Sequence, residues 1–378
     1  MTTGEDSLGP SEKADAPAGQ ADAPAAVRGA VDAALRDFFA SRRTVVAGVG
    51  TEFAEAADLL EEFVLRGGKR MRPLFAWTGW LCAGGPATGD SADAMLRACS
   101  ALELVQACAL IHDDFIDSSD TRRGHPTVHV DVARRHREGG WSGDSAHFGA
   151  GVAVLLGDLA LAWADDMLRE CGLPADAQAR ISPMWSAMRT EVLGGQLLDV
   201  VTESRGDESF DAAMRVNRFK TAAYTVERPL QLGASAADAD PAMLDMFGGL
   251  GIDLGIAFQL RDDLLGVFGD PAVTGKPSGD DLREGKRTVL LALALAQADS
   301  ADPDSAALLR SSIGTDLTHA QVAGLREMIS GLGAVDEVER MIAELTDRAH
   351  AALDAGGATG EGAHLLRSMI TAAAHRRL

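Results

Sequence analysis

The stretch Met95–Asp117 reads MLRACSALELVQACALIHDDFID and runs from mostly apolar residues into a cluster of aspartates. Alanine and leucine rank high in helix propensity, so we expect a long helix here. On that helix, Asp113 and Asp117 are i,i+4 neighbours, and Asp114 and Asp117 are i,i+3 neighbours. The sequence therefore predicts a helix that carries three carboxylates on one side of its C-terminal end.

Carboxylates at this spacing repel one another, at a cost of roughly 0.2–0.5 kcal/mol per pair in an isolated helix. The cost is greater at a helix C-terminus, where the macrodipole disfavours anions. A solvated acidic turn is the simpler alternative, but the apolar run Ala107–Ile111 leads directly into the cluster. A buried helix that ends in carboxylates indicates the mouth of a cavity and a bound cation. Mg²⁺ is the natural candidate because it prefers oxygen ligands and accompanies phosphates.

A second aspartate pair, Asp262-Asp263, follows the apolar stretch Leu254–Leu260. Downstream, Gly275-Lys276 and Asp281 add an ammonium group and another carboxylate on a flexible loop. The first cluster is likewise followed by basic residues, Arg122-Arg123. Such side chains bind anionic oxygens. Together the clusters predict a diphosphate held by metal on one side and by basic side chains on the other.

The composition predicts an all-α fold. Hydrophobic residues make up 46% of the 378 residues but aromatic residues only 5%, so the core consists mostly of aliphatic side chains. Helical periodicity is continuous, with Val31, Leu35 and Phe38 as one example, and no convincing alternating strand is visible. The net charge of −21 excludes a typical nucleic-acid-binding protein, which needs a basic surface.

Residues 1–25 are rich in Ala, Gly, Pro, Asp and Ser, and we predict a disordered tail there. Residues 26–378 are predicted to form a single all-α domain around one core. Within it, residues 131–148 are polar and are predicted to form an exposed loop. The sequence shows no signal peptide and no apolar run judged long enough to span a membrane. The four cysteines lie far apart and indicate reduced buried thiols, so we expect a cytoplasmic protein.

At this point the motifs match a known family. The chain resembles the trans-isoprenyl diphosphate synthases, also called polyprenyl synthetases, and most closely their geranylgeranyl diphosphate synthase branch. The resemblance covers nearly everything from about Arg28 onward. The motifs that carry it, in order, are Gly67–Pro73 (GGKRMRP), Asp113–Asp117 (DDFID) with Arg122-Arg123, Gly195–Asp199 (GQLLD), Lys220-Thr221, and Asp262-Asp263 with Gly275–Asp281.

The resemblance implies an isoprenoid-synthase helical bundle around a central apolar cavity, and a homodimer. It implies condensation of isopentenyl diphosphate with an allylic diphosphate (dimethylallyl, geranyl or farnesyl), with three Mg²⁺ ions when diphosphate is bound. The implied metal ligands are Asp113, Asp114, Asp117, Asp262, Asp263 and Asp281. The implied allylic diphosphate ligands are Arg122, Lys220 and Lys276. The implied isopentenyl diphosphate ligands are Lys69, Arg72, Gln106 and Arg123. The residues implied to line the reacting ends are Gln196, Thr221 and Gln259.

Product length is predicted from the helix before the first motif. In this family a bulky aromatic residue four or five positions before the first aspartate stops growth at farnesyl length. Ala109 and Cys108 stand there, and their small side chains leave room for the growing chain. Val105, one turn farther along the helix, and Trp163, on a neighbouring helix, could close the cavity at that next turn. We therefore expect geranylgeranyl diphosphate, with longer polyprenyl products as the alternative.

The sequence departs from the family pattern at two positions. Gly266 stands where the second motif has its third carboxylate, which puts the full ligand set of that site in doubt, although Asp270 follows in the same segment. Gln106 stands where many bacterial members have histidine, and its side-chain amide can still donate a hydrogen bond to a diphosphate.

Two other functions compete with prenyl transfer. A class I terpene cyclase shares the fold and the first aspartate motif but lacks the basic loop that corresponds to Gly67–Pro73. A non-catalytic partner subunit typically loses the aspartates or the arginine pair, and both are intact in this chain.

Overall fold

The computed structural model describes residues 23–270 and 279–375, and this part of the chain is helical almost throughout. The predicted all-α fold is confirmed. The first helices along the chain are α1 (Ala23–Val49), α2 (Thr51–Leu65), α3 (Met71–Cys82), α4 (Asp90–Ile116), α5 (Val128–Glu138), α6 (Ser145–Arg169) and α7 (Ala175–Arg205).

The remaining helices include one of a rarer type. They are α8 (Phe210–Val216), a π-helix (Asn217–Glu227), α9 (Arg228–Ala236), α10 (Pro241–Phe268), α11 (Asp280–Glu284), α12 (Val289–Ala301), α13 (Pro303–Ser312), α14 (His319–Gly331), α15 (Ala334–Ala355) and α16 (Gly360–His375). Helix α1 begins at Ala23, so the last three residues of the predicted tail are helical. The rest of the predicted tail, residues 1–22, lies outside the described residues.

Two helices organise the interior. Helix α4 packs against α6, α3 and α1, and α10 packs against the π-helix and α15. Helix α4 buries residues around most of its circumference, including Met95, Leu102 and Ile111. Helix α10 buries Leu254 and Leu260 in the same way. Because both helices are apolar up to the aspartates at their C-terminal ends, the acidic residues emerge from the core at the edge of a common cavity.

Residues 131–148 do not form the predicted loop. Most of them belong to α5 and to the start of α6, and only residues 139–144 connect the two helices. Helix α5 buries Val128, Val132 and His136, which are spaced i, i+4 and i+8. On its exposed side, Asp131 pairs with Arg134 and Arg135, three and four residues later. This stretch is polar because it is an amphipathic surface helix with local ion pairs.

The first aspartate motif leads into a small hairpin. Its strands are β1 (Thr121–Arg122) and β2 (His125–Pro126), which pair antiparallel. The two residues of the turn, Arg123 and Gly124, both have positive φ, at 52° and 77°. This is the geometry of a type I′ turn, whose twist matches a hairpin. It holds Arg122 and Arg123 in fixed positions after the aspartates.

Within the described residues, three helices, α4, α6 and α10, are long and apolar enough to cross a membrane by length and composition alone. The prediction that no apolar stretch reaches that length is therefore wrong. The apolar segment of α4 is 72% buried inside the protein, which accounts for its composition. That of α6 is only 28% buried, so α6 presents an apolar face at the surface.

Candidate active site

The end of α4 and the end of α10 face a cavity of about 660 Å³. The π-helix and the segment from α11 to the start of α12 complete its walls. Acidic and basic side chains make up much of the lining. The lining residues that carry charge are Lys69, Asp113, Asp117, Arg122, Asp199, Lys220, Asp262, Asp263, Asp280, Asp281, Glu284, Lys286 and Arg287.

The three aspartates of the first motif have different surroundings. Asp113 and Asp117 line the cavity, whereas Asp114 is 1% exposed. Asp114 accepts a hydrogen bond of 2.7 Å from Nε of Arg122. Although burial opposes its ionisation, Lys220 and Arg122 hold the pKa of Asp113 below its usual value. Burial and the charge of Asp113 raise the pKa of Asp117 to about 6. The charges of Lys220 and Lys286 oppose this rise in the pKa but do not offset it.

Lys220 connects the first motif to a neighbouring helix. Its Nζ lies 3.0 Å from Oδ1 of Asp113 and 2.6 Å from Oδ2 of Asp199 on α7. Gln196, also on α7, donates to the same oxygen of Asp113 at 3.0 Å. At Gly195, a Cβ atom would lie 2.4 Å from the backbone nitrogen of Lys220. The absence of a side chain at position 195 lets the two helix backbones approach closely enough for these contacts.

The π-helix presents Lys220 and Thr221 to the cavity. Such helices are rare and are frequent at functional sites. Thr221 donates to Oε1 of Gln259 at 2.6 Å, and Nε2 of Gln259 donates to Oδ1 of Asp263 at 2.7 Å. This chain of hydrogen bonds fixes the amide of Gln259 beside the second motif.

The second motif forms the wall that α10 contributes to the same cavity. Asp262 and Asp263 both line the cavity, and Asp263 is 3% exposed. Burial, followed by the charges of Asp281 and Asp262, raises the pKa of Asp263 to about 7. Asp281 lies on the same wall, on α11. Negative charge is therefore concentrated on this wall as well.

Lys286 and Arg287 also line the cavity, although no predicted site residue lies at either position. Nζ of Lys286 lies 2.7 Å from Oε2 of Glu284 and 3.7 Å from Oδ1 of Asp281. Although burial opposes its charge, Asp281 and Glu284 raise the pKa of Lys286. The signal in the sequence is a basic pair directly after an acidic segment. Lys276, the predicted basic residue of this region, lies outside the described residues.

A smaller cavity of about 110 Å³ lies beside the first, between α2, α4 and the hairpin. The predicted ligands Gln106 and Arg123 line it, whereas Lys69 lines the larger cavity. Arg72 lines neither, but its guanidinium lies 4.0 Å from the ring centroid of Tyr224. The Tyr224 hydroxyl donates to Gln106 at 2.9 Å. The predicted isopentenyl diphosphate ligands thus lie in two adjoining cavities, except for Arg72, which packs behind the smaller cavity on Tyr224.

Arg70, the third basic residue of the same loop, has a structural role. It is 5% exposed and pairs with Glu103 at 2.5 Å and with Asp32 at 2.8 Å. It also donates to the carbonyl of Val64 at 2.8 Å. These contacts tie the loop between α2 and α3 to α1 and α4.

The residues predicted to set product length lie one to two turns before the first motif. Val105 and Cys108 are 1% and 2% exposed, and Ala109 is partly buried. They are not among the lining residues of the larger cavity, to which α4 contributes Leu110, Asp113 and Asp117. Trp163 stacks edge-on against Phe38 and Phe39 of α1.

The carboxylates of the cavity suit a hard divalent cation that also binds phosphate oxygens. Within residues 23–270 and 279–375, no three histidine, cysteine, aspartate or glutamate side chains are close enough to hold a metal ion by themselves. The carboxylates instead form two groups that line one cavity, and burial together with neighbouring carboxylates raises the pKa of Asp117 and of Asp263. Mg²⁺ is commonly bound by one or two carboxylates together with substrate phosphates.

Comparison with known proteins agrees with this chemistry. The polyprenyl synthetase family model matches residues 54–329. A crystal structure of the geranylgeranyl pyrophosphate synthase from Corynebacterium glutamicum, complexed with isoprenyl diphosphate and magnesium, is 50% identical with a TM-score of 0.90. The match covers 93% of this chain and 99% of that one.

Two curated relatives differ in the product for which they are named. The geranylfarnesyl diphosphate synthase of Aeropyrum pernix is 32% identical over 286 residues, which are 75% of this chain and 82% of the relative. The (2E,6E)-farnesyl diphosphate synthase of Mycobacterium bovis is 32% identical over 309 residues, which are 76% of this chain and 79% of the relative. On the extent of these matches, the chain belongs to the polyprenyl synthetase family of prenyltransferases.

Proposed function

We propose that this chain catalyses the Mg²⁺-dependent head-to-tail condensation of isopentenyl diphosphate with an allylic diphosphate. The observation that carries the proposal is one cavity lined by both groups of carboxylates and by basic side chains. Bound Mg²⁺, three ions with diphosphate in place, supplies the charge neutralisation that makes diphosphate a leaving group. Asp113, Asp114 and Asp117 would hold it from one wall, and Asp262, Asp263 and Asp281 from the other.

The chain's own residues then provide binding and orientation. Arg122, Lys220, Lys276 and Lys286 would bind the allylic diphosphate, since cations aimed at developing negative charge stabilise the transition state. The amide oxygens and hydroxyl of Gln196, Thr221 and Gln259 would face the developing carbocation. The departing diphosphate can take the proton that the condensed product loses, so no serine, cysteine or histidine nucleophile is required.

Isopentenyl diphosphate would bind in the smaller cavity. Arg123 and Gln106 line that cavity directly, and Arg66 and His125 add further basic character. Lys69 stands where it can reach from the adjoining cavity. The two diphosphates would then lie side by side, on either side of the hairpin that carries Arg122 and Arg123.

We further propose geranylgeranyl diphosphate as the main product, with longer polyprenyl diphosphates as the alternative. Small side chains at Ala109 and Cys108 support growth beyond farnesyl length. A class I terpene cyclase is disfavoured because the basic loop and both aspartate motifs are present. A non-catalytic subunit is disfavoured because Asp113, Asp262, Arg122 and Arg123 are intact.

The functional unit is proposed to be a homodimer built on α6 and α7. Asp165 on α6 accepts hydrogen bonds from Trp185 and Arg189 on α7, which links the two helices. Leu155 on α6 and Leu193 and Leu197 on α7 are exposed, at 67%, 49% and 64%. Exposed apolar patches of this kind mark interaction sites, and a self-complementary patch suits a symmetric dimer.

We propose that residues 26–378 act as one domain and that the protein works in the cytoplasm. Its four cysteines are free and buried, which suits a reducing compartment.

The test is to incubate the pure protein with labelled isopentenyl diphosphate, with and without Mg²⁺, and with dimethylallyl, geranyl or farnesyl diphosphate. We expect a prenyl diphosphate only when Mg²⁺ and an allylic primer are both present, and mass analysis of the product gives its length. Cyclic hydrocarbon from an allylic diphosphate alone would identify a cyclase. No product under any condition would contradict the proposal and favour a partner subunit.

A further inference from the structure

The π-helix that carries Lys220 has an ion pair between its two ends. Nη1 of Arg218, its second residue, lies 2.7 Å from Oε2 of Glu227, its last residue. In an α-helix these residues would be about two and a half turns apart, on opposite faces and about 13.5 Å apart along the axis. The wider turns of a π-helix, which has i→i+5 hydrogen bonds, bring them onto one face. The ion pair therefore suits the π-helix and not an α-helix.

Glu227 depends on this pair because it is buried. It is only 4% exposed. Burial raises the pKa of Glu227, and the charges of Arg218 and Arg228 oppose that rise. Nη1 of Arg228 lies 3.5 Å from Oε1 of Glu227, but Nε of Arg228 donates to Glu191 on α7 at 2.8 Å. Arg218 is therefore the closer of the two cations that compensate the buried carboxylate.

Neighbouring helices contact the backbone of the π-helix. A Cβ atom on Gly251 of α10 would lie 2.5 Å from Cα of Glu227. One turn farther along α10, a Cβ atom on Gly255 would lie 2.4 Å from Cα of Ala222. Gly195 of α7 approaches the same helix as closely. These partners are backbone atoms, which cannot turn aside as the end of a flexible side chain can. The packing thus fixes where the π-helix lies, and its winding decides which side chains face the cavity.

We propose that the Arg218–Glu227 ion pair holds this segment in the π-helical conformation and thereby positions Lys220 beside Asp113 and Asp199. The inference rests on the proposed function, because Lys220 is a proposed ligand of the allylic diphosphate. Arg218 and Glu227 are not among the residues that line the larger cavity, so their role is one of positioning. Without the pair the segment winds more tightly, and Nζ of Lys220 moves away from the Asp113 oxygen that now lies 3.0 Å from it.

Three substitutions separate the charge of the pair from its shape. Glu227→Gln keeps the size of the side chain and removes its charge. Arg218→Met removes the guanidinium. Arg218→Lys keeps a cation at the same place, and one ammonium group can replace the contact of Nη1 with Oε2. Because the pair acts through Lys220, its loss should cost nothing further once Lys220→Ala is present.

The first experiment is isothermal titration of magnesium diphosphate (inorganic diphosphate with Mg²⁺) into the purified full chain and its variants. We expect Glu227→Gln and Arg218→Met each to weaken binding by about tenfold, the effect of losing one hydrogen bond to a charged group. Arg218→Lys should bind nearly as tightly as the wild type. Glu227→Gln combined with Lys220→Ala should bind within about twofold of Lys220→Ala alone.

The second experiment follows the helix itself. Tyr224 is the one tyrosine in the sequence, and it lies within the π-helix. A protein labelled with ¹³C at the tyrosine ring therefore reports on this segment alone in NMR spectra. We expect Glu227→Gln and Arg218→Met to shift the tyrosine signal and Arg218→Lys to leave it in place. General loss of stability, without rewinding, would not move this signal in the folded protein.

Arg215→Met is the matched control, because Arg215 is exposed on α8, three residues before Arg218. Its affinity and its tyrosine signal should match those of the wild type. Wild-type affinity or an unshifted tyrosine signal in Glu227→Gln overturns the inference and leaves the proposed function standing. So does a tenfold loss that persists when Lys220→Ala is present.

Glu227→Gln decides the matter even if Arg218→Met does not fold. The Arg218 side chain that it leaves without a charged partner is 23% exposed and remains in contact with water. A wild-type protein that does not bind magnesium diphosphate overturns the proposed function as well.

Discussion

At the scale of single residues, closely spaced acidic and basic side chains set the pKa values of the site's carboxyl groups. Asp113 is held ionised by Lys220 and Arg122, whereas Asp117 and Asp263 have raised pKa values because burial and neighbouring carboxylates outweigh any compensation. A bound divalent cation relieves that repulsion and requires the carboxylates to be deprotonated. The acids on both walls are therefore suited to a ligand that brings positive charge with it.

The first prediction concerns one aspartate from each wall. Asp113→Ala and Asp262→Ala should each lower turnover by about a hundredfold or more, because each removes a carboxylate placed at the developing charge. Helical content by circular dichroism should stay unchanged. Asp245→Ala is the matched control, since Asp245 lies exposed on the same helix as Asp262. Near-wild-type turnover in either site variant, or undiminished activity in excess chelator, would contradict the assignment.

The second prediction separates the two diphosphate sites. Arg72→Ala should raise the KM for isopentenyl diphosphate by about tenfold and leave the KM for the allylic primer nearly unchanged, because Arg72 packs on Tyr224, whose hydroxyl holds Gln106 in the smaller cavity, and losing such a hydrogen bond costs about 1 kcal/mol. Lys276→Ala and Lys286→Ala should do the opposite. Steady-state kinetics with each substrate varied in turn measures both constants. If both constants rise together in all three variants, the proposed division of the basic residues is wrong.

At the scale of helices, the loop Gly67–Pro73 is held in place by its buried arginine. Arg70→Met should lower the free energy of unfolding by about 3–5 kcal/mol, because it leaves Glu103 buried without its partner. Glu103 is only 8% exposed. Denaturant unfolding followed by circular dichroism measures this. Arg43→Met is the control and should change stability by about 1 kcal/mol or less, since its ion pairs with Glu61 and Asp58 are at the surface. Equal losses in the two variants would refute the buried role of Arg70.

Helix α4 also carries the prediction on product length. Cys108→Phe should shift the main product from geranylgeranyl toward farnesyl diphosphate, because an aromatic ring at that level blocks further growth. Cys108→Ser is the control for loss of the thiol and should leave the product unchanged. Product mass analysis decides, together with unfolding temperatures, because Cys108 is buried and a larger side chain there costs about 1–3 kcal/mol. An unchanged product in a folded Cys108→Phe variant would show that this position does not limit the chain.

At the scale of the whole molecule, the exposed leucines of α6 and α7 define the proposed dimer face. Leu155→Asp combined with Leu197→Asp should convert a dimer into a monomer, since charge placed in an apolar interface is costly to bury. Light scattering coupled to size exclusion measures the mass. Leu308→Asp is the control, because Leu308 is 49% exposed on α13, away from this face. A double variant that remains dimeric would place the interface elsewhere.

The sequence by itself determined the fold class and the position of the two acidic motifs near helix ends. Both follow from local spacing: the periodicity of apolar residues specifies helices, and Asp113, Asp114 and Asp117 share one side of a helix end wherever that helix lies. The same local rules misjudged residues 131–148, where ion pairs between near neighbours stabilise a helix of polar composition. They also missed Lys286, which matters because the folded chain brings its ammonium group beside Asp281 and Glu284 in the cavity.

Only the tertiary structure decided which residues meet. Lys220 reaches Asp113 across 107 positions of sequence, and it does so from a π-helix packed against Gly195. Arg70 and Lys69 are adjacent in one basic loop, yet Arg70 is buried among acids and Lys69 faces the cavity. Asp281 occupies the space beside Gly266 because α11 packs on α10. Contacts of this kind depend on how helices pack against one another, and the pattern along any single helix does not contain that information.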